Sequence, residues 1–255
     1  MSVALRDEAV ELIRTVNQAN ISLRLIGGVA VGLRCPSAGA GTLVREYRDL
    51  DLCGRSDQAR QLEAILKGIG FQPQGRFNAL NGGQRMMFDH PARQVHLDVF
   101  LDALRMCHVL PFKDRLLRHD LTLDIADLLL SKLQIVQLTE NDVKDTLALL
   151  TDYDLGDDRE AELIDIGRIR EVCSGDWGWF RTTEINLERF QQAAATRLPP
   201  GQREAVSERI EKLLTDLRDS PKSTRWRLRA AVGERVRWYE LPEDPTREQP
   251  GPSSD

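Results

Sequence analysis

The stretch Arg48-Asp49-Leu50-Asp51-Leu52, answered further along by Val95-His96-Leu97-Asp98-Val99-Phe100-Leu101, decides how this chain is read. Side chains of a strand alternate between its faces, so the first stretch puts Asp49 and Asp51 on one face, about 6.6 Å apart along the chain, with Leu50 and Leu52 on the other. The second stretch gives Val95, Leu97, Val99 and Leu101 a common core-packing face and sets Asp98 opposite it. Two carboxylates on one face can share a metal ion. A third, in an otherwise apolar strand, needs a cation or hydrogen bonds, because an ionised group beside a core is costly. Mg²⁺ suits all three, since it takes carboxylate oxygens and completes its octahedron with phosphate oxygens and water.

Upstream of these aspartates, Val3 to Gln18 has a helical apolar period and Ile21 to Ile26 reads as a short buried strand ending at Gly27-Gly28. Helix-compatible residues resume at Val29 and run to Arg34. A glycine pair between strand and helix lets the backbone approach a phosphate, and the helix N-terminus favours negative charge. Taken alone, Gly-Gly is a turn and Asp-x-Asp a solvated strand edge; their order along the chain gives them weight.

The remaining pattern is mixed. A Gly-, Ala- and Ser-rich loop covers 36–42, a strand is expected over 48–53 and a helix over 57–68. Phe71 to Asp89, with turn residues at Gln74-Gly75 and Asn81-Gly82-Gly83, reads as a hairpin returning through Arg85 to Phe88. From Leu123 the period becomes helical: one helix carries Leu128, Leu129, Leu133 and Val136, a second runs from Asn141 to Leu150, and more follow between 159 and 219. The Pro-rich end, 241–255, reads as a disordered tail.

With 255 residues, 41% hydrophobic and 29% charged, the chain can bury a core without disulfides. No apolar run reaches the roughly 18 residues of a membrane span, and the charged N-terminus is unlike a secretory signal, so a cytoplasmic protein without membrane contact is expected. Cys35, Cys53, Cys107 and Cys173 lie far apart and read as reduced, partly buried thiols. A net charge of −5 does not advertise a nucleic-acid surface. Lys222 to Arg237 is locally basic, with Arg225, Arg227, Arg229 and Arg235 against Glu234; it either faces a polyanion or is a solvated face lying over Trp226 and Trp238.

The ordered set Leu25-Ile26-Gly27-Gly28, Asp49-Leu50-Asp51-Leu52 and Leu97-Asp98-Val99 resembles the signature of the DNA polymerase β-like nucleotidyltransferase superfamily, over about residues 21 to 102. The resemblance implies that Asp49, Asp51 and Asp98 are catalytic and hold metal, Mg²⁺ or Mn²⁺, and that Asp98 also helps take the proton from the attacking hydroxyl. It implies that Gly27 and Gly28 bind the nucleoside triphosphate. The span between Gly28 and Asp49 is longer than in compact members, so the loop from Cys35 to Glu46 must fold aside or cover the site. A second stretch, Asp127-Leu128-Leu129-Leu130-Ser131-Lys132-Leu133-Gln134 with Asn141-Asp142-Val143-Lys144-Asp145, resembles the helical portion of AbiEii and MenT-type toxin nucleotidyltransferases. By that resemblance Lys132 contacts the triphosphate and Asp142 orients it or holds the loop, with Asp145 the weaker match. Both are also ordinary solvated residues of amphipathic helices on the helix pattern alone.

Other residues are set aside. Cys107-His108 has no third orienting group, His96 ranks below Asp98 as a proton carrier, and Trp177, Trp179 and Phe180 read as packing at a helix start. Arg34, Arg45 and Arg48 lie near the aspartates in sequence, yet surface arginines need no phosphate.

The expected fold is mixed α/β (α+β): a small mixed nucleotidyltransferase sheet with flanking helices over 1–120, a helical C-terminal domain over 121–240 that closes on the nucleotide, then the tail. The expected function is metal-dependent transfer of a nucleoside monophosphate to an acceptor hydroxyl. If the toxin resemblance holds, the acceptor is the 3′ end of a tRNA and the partner an antitoxin protein. The alternative is a non-catalytic module of the same fold that binds nucleotide or RNA.

Overall fold

The computed structural model describes residues 2–157 and 162–241. The tail expected over 241–255 lies, from residue 242 on, outside the described residues.

The first helix, α1 (Ser2–Gln18), turns Leu5, Ala9, Leu12, Ile13 and Val16 inward, the i, i+3, i+4 spacing of one helical face. The chain then enters β1 (Arg24–Ile26), passes directly into α2 (Gly27–Arg34), and crosses two short 3-10 turns to β2 (Asp49–Gly54). The first strand is shorter than the expected Ile21–Ile26, and α2 begins at Gly27 rather than Val29. Residues 21–23 leave the ladder because other groups take their amides: the Asn17 side chain accepts from Leu23, and the Gln58 side chain from Ser22.

A helix, α3 (Ala59–Gly68), leads to β3 (Gln72–Pro73), α4 (Gly75–Asn81), β4 (Arg85–His90) and β5 (Val95–Leu101). The sheet order is β1-β2-β5-β4-β3; β2 and β5 run parallel at its centre and the other pairs are antiparallel. Strands β3 and β4 pair as the hairpin reading requires, but the connection is a helix and not a turn. Asn78 of α4 explains the difference. Its side-chain amide donates to the Met87 carbonyl and accepts from the Met87 amide, and the Gln74 amide also reaches that carbonyl, so a longer β3 has nothing left to pair with there.

A small hairpin of β6 (Ala103–Arg105) and β7 (Val109–Pro111) follows. The chain then returns along the outer edge of β1, where Leu25 and the 121–123 backbone exchange hydrogen bonds of 2.8 and 3.0 Å, before entering α5 (Ile125–Leu133). Helix α5 is buried along its whole length, and its two charged residues, Asp127 and Lys132, are both salt-bridged. Its start is held by Asp124, whose side chain accepts from the Asp127 amide, and by Arg115 and Arg168, which bracket the buried Asp127 carboxylate. Then come α6 (Glu140–Asp152), α7 (Ile166–Gly175), α8 (Trp177–Arg197), α9 (Pro200–Asp219) and α10 (Thr224–Val232).

One apolar cluster runs from α1 through the sheet into α5, α6, α8 and α9. Each fully buried Leu or Phe in it contributes about 1.5–3 kcal/mol of transfer free energy. The second half is helical, as the period change at Leu123 predicts. All four cysteines are free and buried, and no helix among the described residues is long and apolar enough to cross a membrane.

Candidate active site

The parallel register of β2 and β5 sets Asp51 opposite Asp98 and Asp49 opposite His96. Asp51 and Asp98 therefore project from the same face of adjacent strands, about 4.8 Å apart in the pairing direction. Their neighbours Leu50, Leu52, Leu97 and Val99 fill the other face and are fully buried. The alternation read from sequence is thus the one that forms.

The β1–α2 junction reaches the same place. Gly27 has φ +69°, and a Cβ built on it would lie 2.2 Å from the Asp51 Oδ2 atom, so only glycine allows the backbone to pass this close to the carboxylate. A Cβ on Gly28 would meet the Arg45 guanidinium at 2.6 Å. Ile26 precedes α2 without a side-chain cap, which leaves the first amides of the helix to other acceptors.

These residues border a cleft of about 770 Å³ lined by Gly28, Arg45, Arg48, Asp49, Asp51 and Lys144, with Asn141 beside them. The long connection after α2 does not fold aside: Val44 to Arg48 forms one wall, and α6 supplies the opposite one through Asn141 and Lys144. Arg45 and Arg48, set aside on sequence grounds, are cations of the cleft, whereas Arg34 pairs with Glu162 and donates to Thr122. Asn141 and Lys144 are three apart on one helix and share a face, a signal the sequence carried.

Asp98 is committed elsewhere. Arg85 grips it with two nitrogens, Nε lying 2.8 and 3.1 Å from its two oxygens and Nη2 closing the fork on Oδ2, while the guanidinium packs against the Phe77 and Phe100 rings. Lys132 is buried and salt-bridged to Asp142 at 3.0 Å and Asp145 at 2.9 Å; the same Asp145 oxygen meets Arg45 at 2.8 Å. Asp142 also closes the capping box of α6 with Thr139. The string Asp142–Lys132–Asp145–Arg45 thus ties α5 and α6 to the wall of the cleft, and Asp145 is as much a part of it as Asp142. His96 pairs with Asp89 at 2.8 Å.

Electrostatics single out Asp51. Burial, followed by the nearby Asp98, pushes its carboxyl up to about 6, against the opposing pull of Lys132. Among the described residues no group of three or more His, Cys, Asp or Glu side chains is gathered to hold a metal ion. The donor chemistry nevertheless fits a hard divalent cation at Asp49 and Asp51: both are carboxylates, they share a face, and the raised Asp51 marks an excess of negative charge that a cation would offset. Asp98 would join them only by giving up part of its bond to Arg85.

The chain is a mixed α/β protein with a cleft, lined by both carboxylates and cations, at the edge of its central parallel strand pair. No protein-family model matches it, and no curated protein matches it. Several solved structures resemble it remotely. The antibiotic-resistance factor ANT(2'')-Ia superposes with a TM-score of 0.41 at 13% identity, over 59% of this chain and 85% of that one. The lincosamide antibiotic adenylyltransferase LnuA, bound to lincomycin, gives a TM-score of 0.36 at 17% identity, over 52% of this chain and 89% of that one.

Proposed function

We propose that this protein transfers a nucleoside monophosphate from a nucleoside triphosphate to an acceptor hydroxyl, in a reaction dependent on Mg²⁺ or Mn²⁺. The observation that carries the reading is the meeting of Asp51 and Asp98 across the β2–β5 register beside the Gly27-Gly28 junction. Asp49 and Asp51 would hold the cation, which when bound neutralises phosphate charge and polarises the reacting centre. The amides opening α2 donate to phosphate oxygens, and Arg45, Arg48 and Lys144 line the path of the remaining negative charge. Asp98 takes the acceptor proton at an oxygen that Arg85 releases. The hydroxyl oxygen then bonds to the α-phosphorus, and pyrophosphate leaves. Lys132 acts from behind the cleft, holding Asp145, and through it Arg45, in place.

The acceptor we propose is the 3′ end of a tRNA, with an antitoxin protein as partner. That choice rests on the likeness of 127–145 to the toxin enzymes. Incorporation of each α-labelled nucleoside triphosphate into total tRNA, with and without Mg²⁺, tests it in wild type and in the Asp49→Ala, Asp51→Ala double variant. Label that requires both metal and aspartates is the expected result, with a loss of at least about 10²-fold in the variant. Label absent from tRNA but present on another acceptor would overturn the acceptor alone.

The closed Arg85–Asp98 pair favours a second reading, a module that binds nucleotide without turnover. Nucleotide binding that is unaffected by metal, with no labelled product on any acceptor, would establish it.

A further inference from the structure

A second cavity of about 670 Å³ lies away from the Asp49–Asp51 cleft and shares none of its lining residues. It sits between the Cys107–Val109 turn of the β6–β7 hairpin, the start of α8, and the segment running from Arg237 to Glu240. This volume lies in the range of small-ligand sites.

The segment that closes the cavity is docked at defined points. The Glu240 amide donates to the Cys107 carbonyl at 3.0 Å, and Trp238 Nε1 donates to the Thr182 hydroxyl at 3.0 Å. Gly178 makes room for it: a Cβ there would lie 2.6 Å from the Trp238 carbonyl oxygen and 3.3 Å from His108 Cε1. The aromatic start of α8, read from sequence as packing, is one wall of this cavity.

The polar groups lining it are of both kinds. Trp238 Nε1 can only donate, so the Thr182 oxygen accepts from it, and the same hydroxyl is hydrogen-bonded to His108 Nε2, 2.8 Å away. Burial lowers the imidazole to about 4, so the ring is neutral at physiological pH. Arg168 and Arg229 are spent on Asp127 and on backbone carbonyls, but Arg237 lies over the Tyr239 ring and makes no ion pair among the described residues. Three carboxylates also line the cavity: Glu171, paired with Arg168, Asp176, which accepts from the Trp179 amide, and Glu240.

Aromatic rings, a neutral imidazole, carboxylate acceptors and one guanidinium, Arg237, that makes no ion pair among the described residues match a purine ring with an attached phosphate. A purine stacks on Trp or Tyr, presents both ring acceptors and exocyclic donors, and carries its phosphate at its edge. We propose that this cavity is a second nucleotide site, taking a purine base against Trp238 and Tyr239 and its phosphate at Arg237. The inference stands apart from the catalytic reading. The ligand is either a free mononucleotide or one unstacked base of a single-stranded RNA.

Calorimetric titration of the full chain, without divalent metal, with AMP and separately with a short oligoadenylate, tests the proposal. A site kept in the Asp49→Ala, Asp51→Ala variant but weakened about tenfold by Arg237→Ala is expected, since Arg237 is exposed and its loss leaves the fold intact. Gly178→Ala should abolish the site by displacing the segment; should that variant unfold, Arg237→Ala decides alone. Binding of AMP assigns a free nucleotide, and binding of the oligonucleotide alone assigns RNA. No binding of either, binding indifferent to Arg237→Ala, or binding lost only in the aspartate variant overturns the proposal.

Discussion

Asp51 and Asp98 are register partners on the parallel strands β2 and β5, yet only Asp98 has a cation clasped to it. On Asp51, burial and the neighbouring Asp98 and Asp49 carboxylates outweigh the pull of Lys132 and Arg85, and its carboxyl rises to about 6. A buried acid in that state weakens the metal-free fold in order to hold a charge in place.

Replacing Asp51 with Asn should therefore stabilise the metal-free protein. The folded-state pKa is raised above the unfolded one, so the stability this group contributes is present below about pH 4 and is lost as pH rises through about 6. Urea unfolding should find Asp51→Asn more stable than wild type by about 1–3 kcal/mol at pH 8 and nearly equal at pH 4. A destabilised variant at pH 8 would mean that the carboxylate is held by a partner other than those described.

Arg85 should behave as one half of a buried pair. Arg85→Met keeps apolar bulk between Phe77 and Phe100 but strands the Asp98 charge, and should cost about 3–5 kcal/mol in chemical denaturation. Adding Asp98→Asn to the same chain should restore most of that loss, because the penalty belongs to the unpaired charge. Failure of the second change to rescue would place the cost in packing.

Gly27 and Gly41 both have positive φ, but only Gly27 faces a neighbour; nothing lies within 4 Å of a Cβ at Gly41. Gly41→Ala should cost about 1 kcal/mol from backbone strain alone. Gly27→Ala adds a collision with Asp51 and should cost about 2–3 kcal/mol. Thermal unfolding of the two variants side by side checks the difference, and equal losses would show that Asp51 moves aside freely.

His108 supplies a pH signature of its own. Burial lowers its folded-state value from 6.5 to about 4, opposed by Asp176, so the unfolded chain takes up its proton first as the solution is acidified. Stability contributed by the neutral ring is present above about pH 6.5 and falls away towards pH 4, by about 2–3 kcal/mol in all. In His108→Gln this part of the pH dependence should vanish from urea-unfolding curves taken between pH 4 and 7. An unchanged slope would assign it to another group.

Much of the candidate site was legible before any fold was known. Period-2 alternation is a local property of a strand, so the shared face of Asp49 and Asp51, the isolation of Asp98 among apolar residues, and the glycine junction at Gly27-Gly28 could all be read from residue order. The helical second half was legible for the same reason, since the period of its leucines changes within a few turns. The helix at Gly75–Asn81 was not, because the glycines flanking it signal turns equally well, and the bond between Asn78 and Met87 exists only once β4 is in place.

The sequence by itself determined which side chains share a face, where a positive φ is affordable, and which carboxylates are set against apolar neighbours. Only the tertiary structure decided that Asp51 and Asp98 meet, that Arg85 takes the second of them, that Lys132 turns to Asp142 and Asp145, and that the Arg237–Glu240 segment closes a cavity beside Trp179. Those outcomes depend on strand register and helix packing between residues far apart in the chain. Contacts at that separation are selected by the whole core and leave no period in the residues that make them.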